Sequence, residues 1–161
     1  MARPNRASIM RGFESRPMQY ICDAPERKAW FRIETEAEAA AESEAMRHAV
    51  EKYFRRERDA AVRKYKPATS MSYIERDIGL SGHILRTMPL FLTLREHDGT
   101  PLATAMLPAG GKDDDSFRTI VVGPANGDPF AAQAGAIAAL ASHFGLTLTR
   151  ERCYPYQNYG V

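Results

Sequence analysis

Three groups of residues in this chain have side chains able to act on or hold another molecule: its histidines and cysteines, a run of aspartates beside a glycine pair, and a block of arginines. The histidines are His48, His83, His97 and His143. No two of them stand at the HxH or HxxxH spacing that brings imidazoles to one metal ion from a strand or a helix. Cys22 and Cys153 lie far apart, in no CxxC or Cys/His cluster, so neither zinc nor dithiol chemistry is written locally. They are expected as buried free thiols of a reducing, cytoplasmic compartment, because a disulfide would require the first and last strands to be neighbours. Gly110-Gly111-Lys112 lacks the upstream glycine and the following Ser or Thr of a phosphate loop. Asp113, Asp114 and Asp115 are adjacent, so their carboxylates diverge, and a solvated turn is expected there rather than a cation cage. No serine or cysteine sits in a nucleophile elbow. No cofactor, metal or catalytic site is therefore predicted, and any triad would have to be assembled by folding.

The arginines belong to a long helical pattern from Glu34 to Lys66. Thr35 followed by Glu38 has the spacing of a capping box and marks its start. Met46, Val50, Tyr53, Phe54, Ala61 and Tyr65 recur on one side of a 3.6-residue helix. The opposite side takes His48, Lys52, Arg55 and Asp59, so His48 is expected to be solvated. Glu57 interrupts the apolar side and hints that contact with the core loosens there. The charge changes sign midway: Glu34, Glu36, Glu38, Glu42, Glu44 and Glu51 precede Lys52, Arg55, Arg56, Arg58, Arg63, Lys64 and Lys66. A helix dipole favours this order but acts only within about a turn of each end. A continuous helix would be about 50 Å long, against about 35 to 40 Å for a compact chain of this size. Either the helix breaks or its basic end projects.

The remaining elements read as strands and one further helix. Met18, Tyr20 and Cys22 alternate before a turn at Asp23-Ala24-Pro25, and Trp30 to Ile33 gives a second strand. Lys66-Pro67 ends the long helix, and Ser70 to Ile78 is expected to be a strand or extended segment. Met88 to Arg95, Asp98-Gly99 and Leu102 to Leu107 predict a β-hairpin. After a loop from Pro108 to Ser116, Arg118 to Val122 is a short strand. Asp128 and Pro129 open an uncharged helix through Phe144, with Gly145 ending it and a last strand from Leu146 to Thr149. The expected core is Val50, Phe54, Leu90, Leu92, Leu94, Ile120, Val122, Ile137, Leu140 and Phe144. The fold class is α+β: a mostly antiparallel sheet of about five or six strands against one long helix in the N-terminal half and one apolar helix in the C-terminal half.

A chain of 161 residues with 44% hydrophobic and 26% charged residues is large enough for one domain without staples. Residues 1–16 are expected as a basic flexible arm, 17–153 as the domain, and 154–161 as an aromatic tail. The arm carries Arg3, Arg6, Arg11 and Arg16 against Glu14 and has no secretory apolar core, although an organelle-targeting segment would share its composition. The uncharged run from Pro129 to Thr149 contains Gln133, Ser142, His143 and Gly145, a poor membrane span. Net charge is only +2, but residues 1–66 carry 15 basic against 11 acidic side chains.

From Leu90 onward, the order of strand, Asp-Gly turn, strand, strand at Ile120-Val121-Val122, glycine-containing loop, Ala-rich helix, Gly145 and strand resembles the core of the acyl-CoA N-acyltransferase superfamily. The resemblance covers under half the chain and implies acyl-CoA as cofactor, with pyrophosphate gripped by loop amides at a helix N-terminus. Gly123-Pro124-Ala125-Asn126-Gly127-Asp128 departs from that pattern, since Pro124 removes an amide and Asp128 puts a negative charge where phosphate would sit. The leading expectation is instead a small non-enzymatic binding or accessory protein. Its partner-binding residues are Arg55, Arg56, Arg58, Arg63 and Lys64 with Arg3, Arg6 and Arg11, and its partner is a protein with an acidic surface. Nucleic acid is the other polyanion these cations would suit, and self-association is left open.

Overall fold

The computed structural model of the protein describes residues 17–156. Among them the elements are β1 (Gln19–Ala24), β2 (Lys28–Ile33), α1 (Glu36–Met46), α2 (Val50–Lys64), α3 (Tyr73–Thr87), β3 (Leu90–Arg95), β4 (Pro101–Leu107), β5 (Ile120–Val122) and α4 (Ala134–Phe144). The strands form one antiparallel sheet in the order β1-β2-β3-β4-β5, with a register shift between Tyr20 and Cys22 on the edge strand β1. The α+β architecture expected from the sequence is the one found, including both hairpins.

Register decides which residues share a face. Trp30 lies opposite Leu94, Leu94 opposite Ala103, and Leu92 opposite Ala105, which faces Val121. These residues pack on Ala136, Ile137 and Leu140 of α4, and the Trp30 indole N–H donates to the Ala136 carbonyl at 2.8 Å. On the other face Ile33 and Phe91 meet Ala39 of α1 and Val50 and Phe54 of α2, with the Phe54 and Phe91 rings edge to face at 5.3 Å. Leu90 to Leu94 of β3 is thus buried on both faces, as a strand with helices on either side must be.

The long helix breaks. Arg47 adopts the left-handed conformation (φ 57°, ψ 52°) as C-cap of α1, and α2 starts at Val50. The predicted Thr35 cap is present, with its hydroxyl accepting from Glu38 N–H and Glu38 answering to the Thr35 amide. A second hydroxyl, Ser43 Oγ, accepts from Glu51 N–H at 2.8 Å, which sets α2 back along α1 as an αα-hairpin. Two short helices keep their apolar stripes on the sheet where one rod would leave it.

Three other expectations are corrected. Ser70 to Ile78 is not extended: Ser72 and Glu75 form a capping box that opens α3, a start signal that outweighs the alternating side chains around it. Leu146 to Thr149 pairs with no strand; Leu148 is buried and Leu146 half-buried in the core, so their alternation reflects burial without a ladder. The predicted helix from Pro129 begins as a turn in which Gln133 N–H reaches the Pro129 carbonyl at 2.8 Å, and regular helix starts at Ala134. Of the expected core, Ile120 and Phe144 are half-buried and the others are buried.

Gly111 and Gly145 both have left-handed φ, 70° and 71°, but a Cβ on Gly111 would meet Phe144 Cδ1 at 2.2 Å, whereas nothing lies within 4 Å of one on Gly145. Gly145→Ala is expected to cost about 1 kcal/mol, and Gly111→Ala a further 1 to 3 kcal/mol, roughly, from overpacking. Urea denaturation of the two variants checks the difference, and equal losses would show that Phe144 moves aside freely.

Candidate functional site

On the same face, α1 reaches β4 through Glu42 and Thr104, and beside it part of β4 and β5 is left open. A cleft of about 640 Å³ opens there. Its floor is Thr104, Met106, Ile120 and Val122, residues that β4 and β5 present together because Thr104 pairs with Val122 and Met106 with Ile120. One wall is α2, through Tyr53, Arg56 and Glu57; the other is Phe117, Arg118 and Tyr154. The Arg56 guanidinium stacks on the Tyr53 ring at 4.8 Å and that of Arg118 on the Tyr154 ring at 4.7 Å. Tyr154 is held in place by its N–H, which donates to the Thr119 carbonyl at 2.8 Å, and by a bridge to Ile120. Neither Arg56 nor Arg118 forms an ion pair among the described residues.

A polar chain runs from the floor into the core. Glu42 of α1 is fully buried; its Oε1 accepts from Arg95 Nη2 at 3.0 Å and its Oε2 from the Thr104 hydroxyl at 2.5 Å. Thr104 Oγ1 is 2.9 Å from His48 Nε2, and Val50 N–H points at His48 Nδ1 from 3.4 Å. With the Thr104 proton given to Glu42, His48 must donate from Nε2 and accept at Nδ1, so the ring is the neutral Nε2–H tautomer. Burial lowers its pKa, against smaller raising effects from a backbone hydrogen bond and from Glu42. His48 is therefore half-buried rather than solvated, because the break at Arg47 turns it towards the sheet. Both ring nitrogens are occupied, which leaves none to take a proton from a molecule in the cleft.

The arginines read from the sequence divide into groups. Arg55 pairs with Glu36 at 2.5 Å and Glu51 at 2.8 Å, and Arg58 with Glu36 at 3.0 Å and Asp59 at 3.5 Å. One carboxylate of α1, Glu36, thus bridges two arginines of α2, and hydrogen bonding from Arg55 holds it below its ordinary pKa. Arg56 turns to the cleft instead. Arg63 and Lys64 stand exposed in the last turn of α2, with no ion pair among the described residues. Arg3, Arg6 and Arg11 lie outside the described residues. Sequence reasoning singled out Glu57, which lines the cleft, but placed His48 in solvent and gave no role to Arg118 or to Tyr154, read only as part of an aromatic tail. Those last two are far apart in the chain and meet only because the aromatic segment returns along β5.

Ahead of the turn that leads into α4, Asp128 accepts from Phe130 N–H at 2.9 Å and pairs with Arg150, whose guanidinium lies 4.8 Å from the Tyr156 ring. That hydrogen bond from Arg150 is the main cause of its lowered pKa. Elsewhere Asp114 is committed to its turn, accepting from Ser116 N–H and Oγ–H at 3.0 and 2.7 Å. Cys22 and Cys153 are free thiols, and burial pushes the Cys153 pKa up to about 11. In comparisons with known proteins, no family model, curated protein or solved structure matches the chain.

A histidine whose pKa is lower folded than unfolded binds fewer protons in the native state, so its contribution to stability is full above about pH 6.5 and is lost as pH falls towards the folded pKa. The melting temperature is expected to drop between pH 7 and pH 5. Glu36, Asp98, Asp114 and Asp128, with lowered pKa values, act only at lower pH. His48→Asn should flatten the pH 7 to 5 slope in calorimetric scans, and an unchanged slope would place the titration elsewhere.

Proposed function

We propose that this is a non-enzymatic binding protein that docks on an acidic partner through the basic end of α2. The observation that carries the reading is the division of the arginines. The αα-hairpin neutralises Arg55 and Arg58 internally, yet Arg63 and Lys64 remain exposed beyond the reach of Glu36, with Arg56 on the same helix nearer the cleft. Their place in the last turn of α2 suits the helix dipole, and their exposure leaves the same charges open to a partner. Arg3, Arg6 and Arg11 add positive charge from the N-terminal arm. A protein surface rather than nucleic acid is favoured by the net charge of only +2 and by the half-buried His48, whose ring nitrogens are both bonded within the chain.

The test uses a synthetic peptide of alternating glutamate and leucine, its lysine counterpart and a duplex DNA, each followed by fluorescence anisotropy over a range of salt. Exposed charge pairs contribute about 0.2 to 1 kcal/mol each, so Arg63→Gln with Lys64→Gln should weaken binding of the acidic peptide between roughly twofold and thirtyfold and reduce its salt dependence. The melting temperature should stay unchanged, whereas Arg55→Gln should lower it slightly, since Glu51 loses its pair and Glu36 keeps only Arg58. Tighter binding of duplex DNA than of the peptide would replace the protein partner by nucleic acid, and a double variant that binds as the parent does at every salt concentration would refute the docking surface.

A further inference from the structure

We infer that the cleft over β4 and β5 is a ligand site for an amphipathic monocarboxylate, a chain or ring system of apolar carbon ending in one carboxylate. This goes beyond the docking surface and is separate from it, since Arg63 and Lys64 do not line the cleft. A volume of about 640 Å³ lies in the range of small-molecule sites, roughly 300 to 1,000 Å³. Phe91, Met106, Ile120 and Val122 give it an apolar interior. Polar recognition is concentrated on the walls, in Arg56 and Arg118. Each guanidinium has a ring against one face, from Tyr53 and Tyr154, and a stacked guanidinium keeps its N–H donors in plane and free for the two oxygens of a carboxylate.

The charge of the ligand follows from a count. Arg56 and Arg118 are cations, Glu57 is the carboxylate lining the same cleft, and His48 is neutral while both its nitrogens are bonded. The net is one positive charge, which one negative charge balances. A dianion would face Glu57 with no cation left to offset it. An extended peptide is disfavoured by the edge of β5, because Tyr154 already takes the Thr119 carbonyl and bridges Ile120, so that a further strand cannot add there.

Decanoate is the probe, titrated by calorimetry against the full chain, with decyltrimethylammonium and decanedioate as comparisons and amide shifts in nuclear magnetic resonance spectra to locate the site. Decanoate should bind one to one, move the amides of Thr104 to Met106 and Arg118 to Val122, and lose affinity roughly tenfold in Arg118→Gln. Arg118 is exposed and unpaired, so the variant should fold as the parent does. Met106→Trp, which fills the floor, should abolish binding; a matching far-ultraviolet spectrum confirms that it folds, and if it does not, Arg56→Gln replaces it with the same expected loss as Arg118→Gln. Decanedioate should bind at least tenfold more weakly, because its second carboxylate would lie on the apolar floor. No decanoate binding up to its solubility, equal binding of decyltrimethylammonium, or shifts confined to residues outside the cleft would each overturn the proposal. None of these measurements involves Arg63 or Lys64, so failure here and failure of the docking surface are told apart.

Discussion

The placement of everything on one face of the sheet depends on a carboxylate with no access to water. Glu42 is completely buried, and desolvating a carboxylate costs several kcal/mol, roughly, unless its oxygens are fully bonded. Arg95 at the end of β3 satisfies one oxygen and Thr104 on β4 the other. Arg95 is itself fixed by Thr93 Oγ1 at 3.0 Å and the Gly99 carbonyl at 3.1 Å. One side chain of α1 therefore meets two strands at defined points, so α1 cannot slide or rotate without stranding a charge. Through Thr104 the same bonds reach His48, the residue between α1 and α2, and so set the direction from which α2 returns. The cleft is what α2 leaves uncovered.

The opposite layer is organised by a different interaction. Trp30 is buried, and its indole N–H is satisfied by a carbonyl of α4 rather than by water. A large ring with a single donor fits only where a backbone acceptor meets it. Ala136 supplies that acceptor in a helix whose small residues let its backbone come close. Specific polar bonds hold α1, whereas apolar contact and one hydrogen bond hold α4.

Much of this architecture was legible because it rests on local chemistry. The hairpin of β3 and β4 follows from apolar runs on either side of Asp98-Gly99, and the start of α1 from Thr35 and Glu38. The break at Arg47 was not legible in position, because no glycine or proline marks it; only the excess length pointed to it. The sign change along the predicted rod is the more instructive case. Read as one helix it has no internal explanation, but folded back it sets Glu36 of α1 against Arg55 and Arg58 of α2. The helix α3 was missed although its capping box stands in the sequence, and the cleft was visible only as a misplaced Glu57. Pairs such as Arg118 with Tyr154, or His48 with Thr104, are products of tertiary placement and leave no mark on spacing.

The irregular register of β1 bears on how the molecule behaves in a crowd. Among the described residues β1 has β2 on one side and no strand on the other, and an open edge of this kind is a template for intermolecular pairing. Between Tyr20 and Cys22 the ladder to β2 slips by a residue, so the backbone groups along the free side do not present an even row to an incoming strand. Asp23, exposed on the same strand, would carry a charge into any such pairing. A sheet interior as apolar as β3 is hazardous if copied from molecule to molecule, and the fault in its outermost strand is a guard against growth into fibres.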